Sequence, residues 1–185
     1  MVKMWWIPLA IIGVIALWAI ASYNGLVSSR NQVQSAWAQI DVQLKRRFDL
    51  IPNLVETVKG YAKHEQETLD MVIKARNAAM SATSVEDAAA KEGELRQTLR
   101  SLFALSESYP DLKANTNFLK LQDELSGTEN KISFSRQFYN DTVFRYNTRI
   151  QSFPTNILAG IFGFALEPLF EIDDPAERET PKVKF

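Results

Sequence analysis

The 185-residue chain predicts an all-α protein: an N-terminal transmembrane helix continuing into an antiparallel bundle of about four long helices. Three observations carry this. Met4 to Ala21, MWWIPLAIIGVIALWAIA, is an unbroken apolar run with no charge between Lys3 and Arg30. Between Leu26 and Ile150, large apolar residues recur mostly at three- and four-residue steps, the period of one helix face. No stretch shows the alternation bounded by hairpin turns that marks strands.

The apolar run rises about 27 Å as a helix, and Ser22, Tyr23 and Asn24 can extend it to roughly the 30 Å of a bilayer core. Trp5, Trp6, Trp18 and Tyr23 stand near its ends, where amphipathic rings favour the headgroup level. Residues 1–24 are therefore expected to anchor the chain, with residues 4–24 in the lipid bilayer. Ala19-Ile20-Ala21 also fits a small-x-small cleavage site, so a cleaved signal peptide is the alternative. The amino group and Lys3 precede the span and only Arg30 follows closely, which tilts the orientation toward a cytoplasmic N-terminus and an extracytoplasmic domain.

Residues 25–151 form the expected bundle. In the first helix Leu26, Val33, Trp37, Ile40, Leu44 and Phe48 make one stripe, with Trp37 expected in the core. Pro52 lacks an N–H and disfavours helical geometry at Ile51, so a corner is expected at Asp49 to Asn53, with Lys45, Arg46 and Arg47 close to the last carbonyls of the first helix. A second helix is expected to start near Pro52 and to end at Ser81–Ser84. A third is expected from about Val85 to Glu107, with a capping box of Ser84 and Asp87. Its first half is thin in large apolar groups and is expected to be exposed or mobile. After the turn Ser108-Tyr109-Pro110-Asp111, the fourth helix runs from about Asn115 to Gln151.

Residues 152–170 are an apolar strap, expected as a short helix and extended segment on the bundle end, with an interfacial or partner-binding segment as the alternative. Residues 171–185 hold eight charges and two prolines and are expected to be a disordered tail.

Composition removes much chemistry. Lys plus Arg number 21 against 22 Asp plus Glu, which gives no support to nucleic-acid binding through bulk charge. The absence of Cys excludes thiolate nucleophiles, cysteine-ligated metals and a lipoprotein anchor. His64 is the one histidine; His64-Glu65-Gln66-Glu67-Thr68 lacks the second imidazole of a zinc protease motif, and no Glu-x-x-His pairs are present for a di-metal bundle. No cofactor and no small-molecule substrate are indicated. On the fourth helix, Thr128 and Ser135 interrupt the apolar stripe, Glu129 and Arg136 lie beside them two turns apart, and Asn130, Asn140 and Asn147 are unfavourable in a helix interior. These residues are expected to form a buried structural network in which Glu129 pairs with Arg136, or else to be a solvated face that binds a partner.

Several of these residues also carry a family resemblance. Asp41 to Glu65, DVQLKRRFDLIPNLVETVKGYAKHE, together with Tyr23-Asn24, Ala75-Arg76, Leu121-Gln122, Thr128-Glu129-Asn130, Tyr139-Asn140, Tyr146-Asn147 and Phe153-Pro154, resembles the LemA family of bacterial membrane-anchored proteins over residues 4 to about 170. The resemblance implies a short anchor followed by a long-helix bundle in the bacterial inner membrane, with no established enzymatic reaction. It maps Arg46, Arg47, Asp49, Pro52, Asn53, Glu129, Asn130, Tyr139 and Asn140 onto the family pattern, none with a catalytic role. The expected function is a non-enzymatic scaffold or adaptor of the cell envelope, acting through a protein partner or self-association. The alternatives are a membrane-linked sensor and a carboxylate-dependent enzyme.

Overall fold

The computed structural model describes residues 6–171; the charged tail lies, from residue 172 on, outside the described residues. It holds α1 (Trp6–Tyr61), α2 (Gln66–Met80), α3 (Val85–Ser106), α4 (Pro110–Lys113), α5 (Thr116–Gln151) and α6 (Thr155–Phe162), with no strand among the described residues. The all-α expectation is met. Helices divide between two compact units, one of the chain up to Ala38 with Gln137–Pro168, the other of Gln39–Arg136 with the chain from Leu169.

The first unit packs the stretch of α1 that carries Leu26, Val33 and Ala36 against the end of α5 that carries Tyr139, Val143, Tyr146 and Ile150, all buried. Trp37 is half-buried, its ring meeting that of Tyr139 edge-on at 5.6 Å. Arg149 donates to Gly25 O at 3.0 Å and to Ser29 Oγ at 2.9 Å. As residue numbers rise along α1 they fall along α5, so the pair is antiparallel. N-terminal to this contact, α1 contains an 18-residue stretch, none of it buried, that is long and apolar enough to cross a membrane.

The second unit buries Ile40, Leu44, Phe48, Ile51, Leu54 and Val58 of α1 with Leu69 and Val72 of α2, Leu95, Leu99 and Leu102 of α3, Leu112 of α4, and Phe118, Leu125 and Ile132 of α5. The stripes seen in the sequence are the faces that pack. Ser84 caps α3 as expected: its Oγ accepts from Asp87 N at 3.1 Å, while Asp87 Oδ2 accepts in return from Thr83 N at 3.1 Å. Tyr109 donates to Glu65 at 2.9 Å and Asn115 to the Tyr61 hydroxyl at 2.8 Å, which ties the segment around α4 to the α1–α2 corner.

Two expectations are corrected. The corner at Asp49 to Asn53 does not form; α1 continues through Pro52, and the chain turns at Ala62 to Glu65 instead. A proline inside a helix strands the carbonyl four residues back, here Phe48 O, in a buried residue. Arg76 of α2 supplies the missing donor, its Nε reaching Phe48 O at 2.7 Å. A side chain distant in sequence thus replaces the one hydrogen bond that Pro52 removes. Nor is the first half of α3 exposed: Ala88, Ala89 and Glu92 are buried, because small residues permit a close helix approach where large ones are lacking.

If Arg76 is what permits the unbroken helix, Arg76→Met should cost about 1–3 kcal/mol through the orphaned Phe48 carbonyl. In a Pro52→Ala background, where the restored backbone N–H of the substituted residue can take the carbonyl, that cost should fall by at least half. Chemical unfolding of the four chains in detergent measures this cycle; equal losses in both backgrounds would separate the two residues.

Candidate functional site

The polar centre of the second unit is assembled from three helices. Arg47 falls on the core face of α1, three residues past Leu44 and four before Ile51, so its guanidinium enters the packed interior. Glu92 stands on the inward face of α3 between Ala89 and Leu95. Arg47 Nη1 donates to Glu92 Oε2 at 2.9 Å and lies 2.8 Å from Glu129 Oε2 of α5. Arg96, one turn beyond Glu92, meets Glu129 Oε1 at 2.5 Å. Arg47 is 5% exposed and Glu92 1%. Each buried charge therefore has a counter-charge within contact distance, the condition under which burial is tolerated.

Burial pushes the Glu92 carboxyl above its ordinary range, and the negative charge of Glu129 pushes in the same direction; the Arg47 guanidinium opposes both and does not cancel them. Above the ordinary carboxylate pKa and up through the raised one, the native protein holds this proton more firmly than the unfolded chain does. Within that window the Glu92 contribution to stability falls as pH rises.

Glu129, expected to pair with Arg136 two turns on along the same helix, meets guanidiniums of two other helices. The ion pairs of Glu129 go across to α1 and α3, because the side chain leaves α5 toward the neighbouring helices. Arg136 is half-buried. Thr128 is buried beside Glu129 and returns its hydroxyl to Glu124 O at 2.8 Å, so it adds no link between helices.

Next to the network opens a cleft of about 460 Å³ lined by Arg47, Arg96 and Arg100, by Gln122, Ser126, Asn130 and Ser133, and by Leu99, Phe103 and Leu125. Glu129 is the one carboxylate in the lining, and two guanidiniums hold it. A general acid–base pair needs two carboxyls with pKa values driven apart and within reach of a substrate; here Glu92 lies behind Arg47 and outside the cleft lining. The cleft lining holds no such pair.

In the first unit, the aromatic and amide positions of α5 hold the strap by its backbone. Tyr146 donates to Ala165 O at 3.0 Å and Tyr139 to Pro168 O at 2.9 Å. Asn147 Nδ2 donates to Glu167 O at 2.8 Å, and Glu167 N donates to Asn147 Oδ1 at 3.0 Å, a two-point clasp that uses both the donor and the acceptor of the amide. An asparagine in a long helix is thereby explained: its side chain substitutes for a strand partner. Of the remaining positions singled out in the sequence, Asn130 lines the cleft beside the network. Arg46, Asp49, Asn53 and Asn130 are exposed, Pro52 and Asn140 half-buried.

Sequence reasoning passed over Glu92 and Arg96, and it quoted Arg76 without a role. A signal for Glu92 existed: a carboxylate three and four residues after Ala89 and Ala88 and three before Leu95 occupies the apolar phase of its helix.

The network and the clasp lie within the region shared with known proteins. The chain matches the family model described as LemA family over residues 36–185. It is 29% identical over 152 residues to "Protein LemA" of Metamycoplasma hominis, covering 80% of this chain and 68% of that one. It is 24% identical over 187 residues to "Magnetosome protein MamQ 2" of Paramagnetospirillum magneticum and to "Magnetosome protein MamQ" of Magnetospirillum gryphiswaldense, covering 87% of this chain and 68% of each.

Two outcomes follow from the network. Arg47→Leu leaves Glu92 buried without its counter-charge and should cost about 3–5 kcal/mol at neutral pH, less at acid pH where Glu92 is protonated. Glu92→Gln should remove the decline of stability with rising pH described above. Unfolding midpoints across the pH range check both; an Arg47→Leu loss under about 1 kcal/mol, the scale of an exposed pair, would place the network outside the core.

Proposed function

The chain belongs to the LemA family, and we propose that it serves there as a membrane-anchored scaffold of the bacterial cell envelope whose outward helix faces bind protein. The LemA family is not a known enzyme family, and this chain is a non-enzymatic, membrane-associated member with one N-terminal anchoring segment. What it binds, and on which side of the membrane, is our reading.

The observation that carries the proposal is the contrast between the two kinds of residue on α5. Its polar core residues are consumed internally, Glu129 by guanidiniums and Tyr139, Tyr146 and Asn147 by the strap. Its outward aromatic residues face solvent: Phe134, Phe138 and Phe144 are 74, 47 and 69% exposed. Single exposed apolar residues are ordinary, but three large rings on one helix are the composition of protein interfaces. The magnetosome names of two relatives support a setting on specialised membranes. The positive N-terminal flank supports an extracytoplasmic domain, with Lys3 on the cytoplasmic side of the span.

Because the chain has no Cys, one can be installed at will. Phe144→Cys and Phe134→Cys chains in native membranes, treated with a short bismaleimide or photoreactive maleimide, should each give a discrete adduct, either a dimer or a defined partner. Asp123→Cys, at an exposed polar position of α5, should give little. Uncross-linked monomer from both phenylalanine positions would count against a scaffold working through α5.

A further inference from the structure

Directly beyond the membrane span, the first unit brings a second apolar element to the same level. Tyr23 ends the stretch that can lie in the bilayer, and its ring packs against Phe162 and Phe164 with centroid separations of 4.8 and 5.9 Å. Within the next two turns of α1, the Arg149 guanidinium bonds Gly25 O and Ser29 Oγ, so the end of α5 is held at the same place. Gly25 leaves the space this guanidinium occupies, because a Cβ there would stand 2.5 Å from Arg149 Nη2. α6 follows α5 after three residues and is therefore fixed where the span leaves the membrane.

The outward face of α6 is apolar. Phe153, Ile157 and Ile161 recur at four-residue steps, and with Phe162 and Leu166 they are all more than half exposed. On the other side Ala159 is buried and Leu158 half-buried, so the element already has its protein-facing side. From Ser152 to Leu166 no residue is charged. An element of this length cannot span, and its outer face in water would leave a contiguous apolar patch uncovered. At the headgroup level, the same face meets the boundary between headgroups and acyl chains, where short apolar helices bury their outer side by about 5–10 Å.

We propose that α6 lies in the membrane interface, with Phe153, Ile157, Ile161, Phe162 and Leu166 inserted into the lipid that α1 crosses. The occupant of this face is phospholipid and not a second protein, because the face is continuous with the span through Tyr23 and Phe162. The contact gives the chain two points of attachment. A single helix leaves a domain free to rotate and tilt; a second insertion beside it fixes both. The inference rests on the anchor, so its test must fail separately from the anchor.

Full-length chains bearing a single Cys at Ile161, Val14 or Asp141 are labelled with an environment-sensitive fluorophore and reconstituted in phospholipid vesicles. Ile161 is exposed, so its substitution leaves the packing intact. Asp141 lies about 15 Å back along α5 from Gln151, near the level of Trp37. Lipids bearing a nitroxide high on the acyl chain should reduce the fluorescence at 14 and 161 by roughly twofold or more, and leave 141 unchanged. Aqueous iodide should quench 141 strongly and 161 weakly. Lipid quenching at 14 with iodide quenching at 161 would overturn the inference and keep the anchor. Protection of 161 from both quenchers would overturn it in favour of a protein cover. Loss of lipid quenching at 14 as well would remove the anchor and the inference together.

Discussion

The guanidinium of Arg47 is the constraint around which the second unit is arranged. A cation at 5% exposure is untenable without counter-charge, and the required carboxylates come from two different helices, Glu92 of α3 and Glu129 of α5. Sliding any of the three helices by one residue would carry a side chain to another face and leave a charge stranded. Apolar side chains such as Leu44, Leu95 and Leu125 supply the bulk of burial but tolerate small shifts, whereas a charge pair at 2.8–2.9 Å does not. Register is therefore set by the minority of polar groups and held by the apolar majority.

Continuity of α1 rests on a similar transfer between elements. Pro52 should divide the helix, and in isolation the sequence from Asp49 to Asn53 reads as a corner. Arg76 changes the outcome by donating to the one carbonyl that proline leaves without a partner. The consequence is that Arg47 and the membrane span belong to one helix, Trp6–Tyr61, with no loop intervening. α2, which provides Arg76, is thereby both a packing neighbour and a condition for the helix it packs on.

These two cases mark where the sequence could be read and where it could not. Helix identity, the buried stripes from Leu26 to Ile150, the Ser84 cap and the fourth helix ending at Gln151 were legible because each depends on residues three or four apart on one element. The site was legible in part: Glu129 and Asn147 stand out as polar groups on the fourth helix and Tyr139 and Tyr146 belong to its apolar stripe, while Arg47 is legible only as one of three cations beside the expected corner. Their partners were not legible, since Glu92 lies 45 positions from Arg47 and Arg96 lies 33 positions from Glu129, and nothing local ties either to its partner. The carbonyls of the strap that Tyr139, Tyr146 and Asn147 hold carry no side-chain signature at all. The Pro52 corner failed for the same reason, its remedy being 24 residues away.

The account separates a core that uses its charges to hold itself together from outward faces that make contacts. Buried ion pairs can often be exchanged for apolar residues of similar size without loss of fold, which makes the separation measurable. In a chain carrying Arg47→Met, Glu92→Leu, Arg96→Met and Glu129→Leu together with Phe144→Cys, the account predicts a folded protein at least as stable as the parent in detergent that still gives the adduct from position 144 in native membranes. A chain that folds as well as the parent but has lost the adduct would contradict it, because the buried charges would then be part of the working surface and not its support.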